Sequence, residues 1–252
     1  MKFFRLRYFF SIILSVLCIQ PAISNGGEDE DQLFRQANEA YSRQEYDQAI
    51  THYEQLTKNT GFSAAVLYNL ANSYARAGKI GPAVLNYERA LRLAPGDSDI
   101  SGNLDLVRKE SGLFAGEYPC AERFFRILEL GQWSELLLLS LVLFTLFRLV
   151  ALKHRFSGRV GTTVASSCLL FFCLAAASTF YRYRHFNPAV VIVADGRLLI
   201  SPFASAASIG AIQEGRLVYP EKEHGDFTYV TDETKRTGWI PSSSIVRVSD
   251  RQ

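Results

Sequence analysis

Apolar residues are distributed along this chain of 252 residues with a spacing that changes from region to region. Between about residues 30 and 110 they recur three or four positions apart, which predicts amphipathic helices. Two long apolar runs follow, at residues 134–152 and 160–181. From residue 187 onward, short β-rich runs lie between Gly, Pro, Asp and Ser residues, which predicts strands and turns. The pattern therefore predicts a multidomain chain with a helical region, two long apolar helices and a small all-β domain.

The helical region contains two copies of one pattern of small and aromatic residues. Ala37-Asn38 recurs as Ala71-Asn72, and Tyr53-Glu54 recurs as Tyr87-Glu88. A period of about 34 residues with such fixed offsets is typical of a helix–turn–helix solenoid. Solenoids of this kind stack helix pairs into a curved surface that binds another protein.

The second copy, residues 64–95, resembles a tetratricopeptide repeat. Gly78 lies at the predicted turn, and Pro95 ends the second helix because proline has no backbone N–H to donate. The first copy, residues 30–61, departs from the pattern, since Gln44 stands where the turn glycine is usual. A chance likeness in an ordinary helical hairpin is the alternative. Residues 98–110 repeat part of the first helix and predict a capping helix that covers the last apolar surface.

In tetratricopeptide domains the binding groove is formed by fixed positions of each first helix, and the resemblance implies which residues form it here. Asparagine side chains could bind both the N–H and the C=O of an extended peptide. An arginine could bind a carboxylate. The alternative is that these are ordinary solvated polar positions. The predicted groove residues are Phe34, Asn38, Tyr41, Tyr68, Asn69, Asn72, Arg76 and Asn103.

The first 24 residues predict a secretory signal peptide. A positive start precedes an apolar stretch from Tyr8 to Ile19, and Ala22-Ile23-Ser24 offers small residues to a signal peptidase. An acidic linker, residues 25–29, is expected after it. An uncleaved membrane anchor is the alternative.

The two apolar runs predict transmembrane helices, because each is long enough to cross a hydrocarbon core of about 30 Å. The loop between them, residues 153–159, carries three fixed positive charges, and short basic loops stay in the cytoplasm. The hairpin would therefore turn inward and leave both flanking domains outside the cytoplasm. A buried helical hairpin of a soluble protein is the alternative.

Residues 119–132, just before the first apolar run, mix arginines and a glutamate with Phe and Leu at helical spacing. This pattern predicts a helix that lies in the membrane interface. Trp133 would then anchor the chain at the level of the headgroups.

The last region, residues 187–252, predicts a small barrel of about five short strands. Its closing Gly238-Trp239-Ile240-Pro241 resembles the end of the bacterial SH3-type domain. SH3-type grooves use aromatic rings to bind extended segments. The resemblance implies that Tyr219, Trp239 and Pro241 form a contact surface. Core positions are expected at Val218, Val230 and Ile240. A purely structural role for the tryptophan is the alternative.

Composition and motifs predict no enzyme, no metal site and no cofactor. The formal net charge is +2, which does not indicate a nucleic-acid surface. The four cysteines and four histidines are scattered, whereas metal sites need clustered donors. The sequence contains no nucleophile elbow, metalloprotease helix, phosphate-binding loop or dinucleotide fingerprint. A thiol sensor at Cys120 is a further alternative.

The order of these parts resembles the BatE proteins of the bacterial aerotolerance (Bat) operons. The resemblance implies a multi-pass protein of the bacterial inner membrane whose two domains face the periplasm. It also implies a non-enzymatic scaffold that works beside von Willebrand factor A-domain proteins and a MoxR-type ATPase, with a part in stress tolerance. The competing expectation is a cell-wall protein whose SH3-like domain binds peptidoglycan.

Overall fold

The computed structural model describes residues 26–114, 120–125, 127–153, 158–184 and 187–250. The chain forms two compact units, Met1–Gly61 and Phe62–Gln252. The predicted signal peptide, residues 1–24, lies outside the described residues, and so do residues 154–157 of the predicted cytoplasmic loop.

The first unit contains helices α1 (Gly26–Ser42) and α2 (Tyr46–Thr60), which pack against each other. Small residues make the close approach possible, because Ala37 and Ala49 are fully buried at the contact. Residues 26–29 of the predicted linker form the start of α1. A helix beginning here is favoured by the acidic residues 28–31, since negative charge stabilises a helix N-terminus.

The second unit begins with α3 (Ala64–Arg76), α4 (Ile80–Leu93) and α5 (Ser98–Glu110). Side chains cap two of these helices. The Ser63 hydroxyl accepts a 3.2 Å hydrogen bond from the Val66 N–H. The Asp97 carboxylate accepts hydrogen bonds from the backbone N–H groups of Asp99 at 2.9 Å and Ile100 at 3.2 Å. Such caps satisfy amides that have no partner inside the helix.

The turns of the two helix pairs have the same backbone geometry. Gln44 has a φ of 64° and Gly78 a φ of 75°, both in the left-handed region. The amide of the next residue donates a 2.9 Å bond to the carbonyl five positions before it in each turn. Gln44 therefore takes the place of the turn glycine without changing the turn, at a conformational cost that glycine avoids.

Three further helices follow: α6 (Cys120–Phe125), α7 (Leu130–Lys153) and α8 (Gly158–Arg184). The last two pack side by side and are long and apolar enough to cross a membrane over Leu130–Val150 and Gly161–Tyr183. Most of their leucines are exposed, for example Leu138 at 63% and Leu149 at 62%. A helix that is apolar on all sides and remains uncovered suits a lipid environment.

The predicted interfacial helix at residues 119–132 includes α6, which ends at Phe125, and the beginning of α7, which starts at Leu130. Side chains stabilise this break. The Gln132 amide oxygen accepts a 3.0 Å bond from the Glu129 N–H, and the Trp133 indole donates a 3.1 Å bond to the Phe125 carbonyl. Both bonds satisfy backbone groups that a continuous helix would have paired internally.

The β domain is a single antiparallel sheet. Its strands are β1 (Ala189–Val191), β2 (Gly196–Leu199), β3 (Ser208–Ile212), β4 (Leu217–His224), β5 (Phe227–Asp232), β6 (Thr237–Pro241) and β7 (Ile245–Arg247). They pair in the order β3-β2-β6-β5-β4-β1-β7. Burial alternates along β5, so that its even-numbered residues face the core and its odd-numbered residues form an outer face. The sheet is consistent with an SH3-like domain and, with the helical region and the two long helices, confirms the predicted fold class.

The β domain shares a core with the second helix pair. Val190, Leu217 and Val248 belong to the same buried cluster as Ala83 and Tyr87 of α4. A second cluster lies within the sheet and contains Val218, Val230 and Ile240, all fully buried, which confirms the three predicted core positions. The repeat and the sheet are therefore packed as one unit rather than joined by a free linker.

Candidate protein-binding surfaces

In the first unit, two of the predicted groove residues, Phe34 and Asn38, contact the buried ring of Tyr53. The Tyr53 hydroxyl donates a 2.5 Å hydrogen bond to the side-chain oxygen of Asn38, which is exposed. Phe34 contacts the same ring edge-on at 6.1 Å between centroids. Tyr41 contacts Tyr46 in the same way at 5.5 Å. Asn38 therefore positions the ring that holds the two helices together.

The second unit repeats this arrangement. The Tyr87 hydroxyl donates a 2.5 Å bond to the Asn72 oxygen, and the Tyr68 ring contacts Tyr87 edge-on at 6.1 Å. The Asn–Tyr bond and the aromatic contact thus recur at equivalent positions of both helix pairs. Because both rings are almost fully buried, each bond gives the phenol a polar partner in the core.

Asn103 of the capping helix joins the second of these clusters. Its side-chain N–H groups donate to the Tyr68 hydroxyl at 2.8 Å and to the Asn72 oxygen at 3.1 Å. The structure thus brings three predicted groove residues into one network. The Asn72 oxygen accepts two bonds and has no further lone pair for a peptide N–H. The predicted peptide-binding role stays a prediction, in which Asn72 contributes N–H groups only.

The other two predicted residues of α3 differ in exposure. Asn69 is half-buried, as Asn72 is, whereas Arg76 is exposed in the last turn of the helix. Arg76 and, in the first unit, Asn38 are therefore the exposed ones among the predicted polar positions.

On the β domain, Trp239 and Pro241 lie on the outer face of β6, next to β5. The Trp239 ring is half-buried and contacts the Tyr229 ring at 5.3 Å. The Lys222 ammonium lies 4.7 Å from the centre of Tyr229 and 5.5 Å from that of Trp239. A cation over these rings is attracted by their electron-rich faces. The outer face therefore presents an aromatic surface with one positive charge.

Tyr219, the third predicted contact residue of the β domain, lies on β4 opposite Thr231. It shares the outer face with Trp239, but strand β5 lies between them. Instead, Tyr219 lines a cavity of about 410 Å³ beside Pro188 and Leu217. The predicted contact residues therefore divide between an aromatic surface and a cavity.

That cavity lies where the second repeat, the ends of the two long helices and the sheet meet. Its other lining residues are Glu88, Leu91, Arg92, Pro95, Glu129, Leu130, Gly131 and Arg182. Burial lowers the pKa of Arg92 from its ordinary value, and the negative charge of Glu88 opposes that shift.

Sequence reasoning missed the contact between α4 and the β domain. Arg89 donates to the backbone carbonyls of Val248 at 3.4 Å and Asp250 at 2.5 Å. Burial lowers the pKa of Arg89, while the Asp250 carboxylate opposes the shift. Arg108 of α5 forms a 2.5 Å ion pair with Glu233.

A signal for this contact is present in the sequence of α4. The helix carries Val84 and Leu85 in addition to the small and aromatic positions that pack against α3, so that apolar residues occupy most of its circumference. A helix that is apolar on more than one side must be covered by another element.

A family model for the tetratricopeptide repeat matches residues 34–98. The match begins inside α1, continues through the end of α4 and supports the predicted repeats. No curated protein matches the chain. Tetratricopeptide repeats generally mediate protein–protein interactions, so the match supports such a role for this region.

Proposed function

We propose that this chain is a non-enzymatic, membrane-held scaffold whose repeats bind a segment of another protein. The observation that carries the proposal is the recurrence of the Asn–Tyr bond in both helix pairs, at Asn38 with Tyr53 and at Asn72 with Tyr87. Each bond fixes the first helix of a pair against the second. A surface fixed before binding loses less conformational entropy when a partner binds.

The groove side chains supply the chemistry for that partner. Asn69 and Arg76 project from α3, whereas the β domain packs against α4. An arginine at the edge of a polar surface binds a carboxylate through two parallel N–H bonds. The proposed partner segment is therefore extended and carries an acidic side chain or a free carboxyl terminus.

Membrane attachment through α7 and α8 is part of the proposal. Their uncovered leucines support insertion in lipid. The start of α7 and the end of α8 line the same cavity as the second repeat and the sheet, which supports a hairpin with both domains on one side. With the predicted signal peptide and the basic loop at residues 153–159, this favours a periplasmic location at the bacterial inner membrane.

The order of parts supports a finer proposal, in which the scaffold belongs to a Bat-type complex linked to aerotolerance. Its partners would then be von Willebrand factor A-domain membrane proteins and a MoxR-type ATPase system. Co-purification from detergent, followed by mass spectrometry, tests this identity.

The groove is tested by Asn69→Ala combined with Arg76→Glu, assayed by partner capture from detergent extracts. Asn38 and Asn72 are left unchanged because their replacement would remove the hydrogen bond that each accepts from a buried tyrosine. Lys109→Glu is the control, since Lys109 is exposed on α5 and undergoes the same charge change. The double variant should lose capture while its helical circular dichroism stays unchanged. Capture retained by the double variant would show that this face is not the binding surface.

A second candidate function is binding to peptidoglycan through the β domain. The contact between the half-buried rings of Tyr229 and Trp239 favours it, because a partly accessible aromatic face can stack on a sugar ring. Sedimentation with purified cell wall, with wild type and Trp239→Ala, separates this function from protein capture. Cosedimentation that depends on Trp239 and is unaffected by the groove variant would favour the cell wall.

A further inference from the structure

The cavity of about 410 Å³ is built by four separate parts of the second unit. α4 contributes Glu88 and Arg92, the beginning of α7 contributes Leu130, the end of α8 contributes Arg182, and the β domain contributes Tyr219. Its volume lies in the range of roughly 300–1,000 Å³ that is usual for small-ligand sites. A site assembled from so many elements exists only when the repeat, hairpin and sheet are packed together.

The cavity lies at the level where both candidate spans leave the membrane. Leu130 is the first residue of one span, and Arg182 is next to the last residue of the other. An aromatic cluster marks the same level: the Phe125 ring lies 5.0 Å from Tyr181, and Phe124 lies 5.6 Å from Trp133. Aromatic residues at the ends of membrane helices are typical of the headgroup region.

Charges of both signs line this cavity. Arg92 and Arg182 are the cations, and Glu88 and Glu129 are the anions. Glu88 also lies 3.8 Å from the Arg108 guanidinium and opposes the effect of burial on the pKa of Arg92, so its charge is shared between two arginines. Glu129 is exposed and is the carboxylate best placed for an incoming cation.

A ligand that matches such a lining carries a negative and a positive group a few bonds apart. Guanidinium groups bind phosphate through paired N–H bonds. Carboxylates accept bonds from a primary ammonium, which has three N–H groups, whereas a quaternary ammonium has none to donate. Apolar residues such as Leu91 and Leu217 complete the wall and can contact the start of a lipid chain.

We propose that the cavity binds the headgroup of a phospholipid that carries a phosphate and a primary ammonium, as in phosphatidylethanolamine. Arg92 and Arg182 bind the phosphate, and Glu129 accepts the ammonium. The bound lipid ties the repeat and the sheet to the membrane surface at a fixed depth. The inference rests on the proposed membrane insertion of α7 and α8.

The test uses the full-length protein in nanodiscs of phosphatidylcholine that contain increasing fractions of phosphatidylethanolamine or phosphatidylglycerol, with thermal unfolding and native mass spectrometry as readouts. Wild type should retain phosphatidylethanolamine and unfold at higher temperature in its presence. Arg182→Gln should weaken this binding by at least about tenfold. Glu129→Gln should remove the preference for phosphatidylethanolamine over phosphatidylcholine. Arg159→Gln is the control, because Arg159 lies at the opposite end of α8.

Equal retention of phosphatidylcholine and phosphatidylethanolamine by wild type would overturn the proposal, and so would unchanged binding in Arg182→Gln. A preference for phosphatidylglycerol would assign the cavity to an anionic lipid and overturn it as well. Displacement of the lipid by equimolar soluble phosphoethanolamine would show that the lipid chains do not contribute. Alkaline extraction of membranes is run in parallel: a protein that is extracted is not inserted, which contradicts the proposed function itself rather than the lipid site alone.

Discussion

The backbone N–H of Gly81 donates a 2.8 Å hydrogen bond to the carboxylate of Glu214, 133 residues further along the chain. The glycine lies in the first turn of α4, and the glutamate lies between β3 and β4. A carboxylate at a helix N-terminus satisfies a free amide and complements the helix dipole. This contact fixes the β domain against the second repeat.

Gly81→Ala should loosen that contact. A Cβ at this position would lie 2.7 Å from the Val191 carbonyl oxygen and 2.8 Å from the Ile192 Cα, where no carbon atom fits. The clash should lower the free energy of unfolding by about 1–3 kcal/mol. This loss exceeds the gain of up to about 1 kcal/mol that alanine brings through its higher helix propensity. Thermal unfolding of the purified full-length protein measures the loss. Gly102→Ala is the matched control, because a Cβ there has no atom within 4 Å and the variant should be slightly stabilised. A Gly81→Ala protein as stable as wild type would contradict the contact.

Gln44→Gly should stabilise the first helix pair. Gln44 has a φ of 64°, a region that costs an L-residue roughly 1–2 kcal/mol. Glycine removes this cost but has more freedom in the unfolded chain, so a net gain of about 0.5 kcal/mol is expected. Gly78→Ala in the equivalent turn should lose about 1 kcal/mol for conformational reasons alone, since its Cβ would meet no atom within 4 Å. Denaturant unfolding followed by helical circular dichroism measures both, and a destabilised Gln44→Gly protein would contradict the shared turn geometry.

The stability of the folded protein should fall at acidic pH because the Asp232 carboxylate becomes protonated. Burial alone would raise the pKa of this carboxyl, but hydrogen bonds from Thr234 and Arg236 outweigh burial and hold the pKa below 3.8. A lowered pKa in the folded protein contributes stability that is present above pH 3.8 and is lost as the pH falls further.

Asp232→Asn should therefore lower the free energy of unfolding by at least about 1.5 kcal/mol at neutral pH. Below pH 3.8, the variant should lose less of its remaining stability than wild type does. Asp226→Asn, at an exposed turn, should keep the acid dependence of wild type. The unfolding midpoint measured between pH 7 and pH 2.5 decides the matter. Parallel curves for wild type and Asp232→Asn would show that another group causes the acid loss.

Trp239→Ala and Ile240→Ala should differ in how much stability they lose, although the two residues are neighbours in the chain. Ile240 is fully buried, so Ile240→Ala should lower the free energy of unfolding by about 2–5 kcal/mol, the usual value for a truncated core isoleucine. Trp239 is half-buried on the outer face, so Trp239→Ala should lose less stability. The same substitution should weaken the binding of a partner to the aromatic surface. The comparison needs the full-length protein, because an isolated 187–252 fragment would expose Val190, Leu217 and Val248. A loss of 3–5 kcal/mol for Trp239→Ala would assign the ring to the core.

Reporter fusions test the orientation of the hairpin. Fusions after Ser111 and at Gln252 should report an extracytoplasmic site, and a fusion at Gly158 should report the cytoplasm, because the basic loop at residues 153–159 stays inside. A cytoplasmic signal at Gln252 together with an extracytoplasmic signal at Ser111 would show that only one of the two helices spans the membrane.

Elements with local sequence signals could be predicted from the amino-acid sequence. The repeat can be recognised because its helices contact each other at fixed offsets, so that Ala71, Ala83 and Tyr87 match Ala37, Ala49 and Tyr53 of the first copy. The long apolar helices are readable from composition and length. Along β5 and β6 buried residues alternate with more accessible ones, a pattern that a strand sequence also shows. Val230 and Ile240 lie on the buried face, and Trp239 lies on the other face.

The way in which these elements pack together is visible in the folded protein alone. The Gly81–Glu214 bond joins positions 133 residues apart, and no local pattern encodes that pairing. The two bonds at the Asn72 oxygen depend on Tyr87 and Asn103 arriving from two other helices. The break before α7 depends on the Trp133 indole reaching back to Phe125. Such contacts depend on where whole surfaces pack, and a periodic sequence specifies its buried face but not which distant residue will cover it.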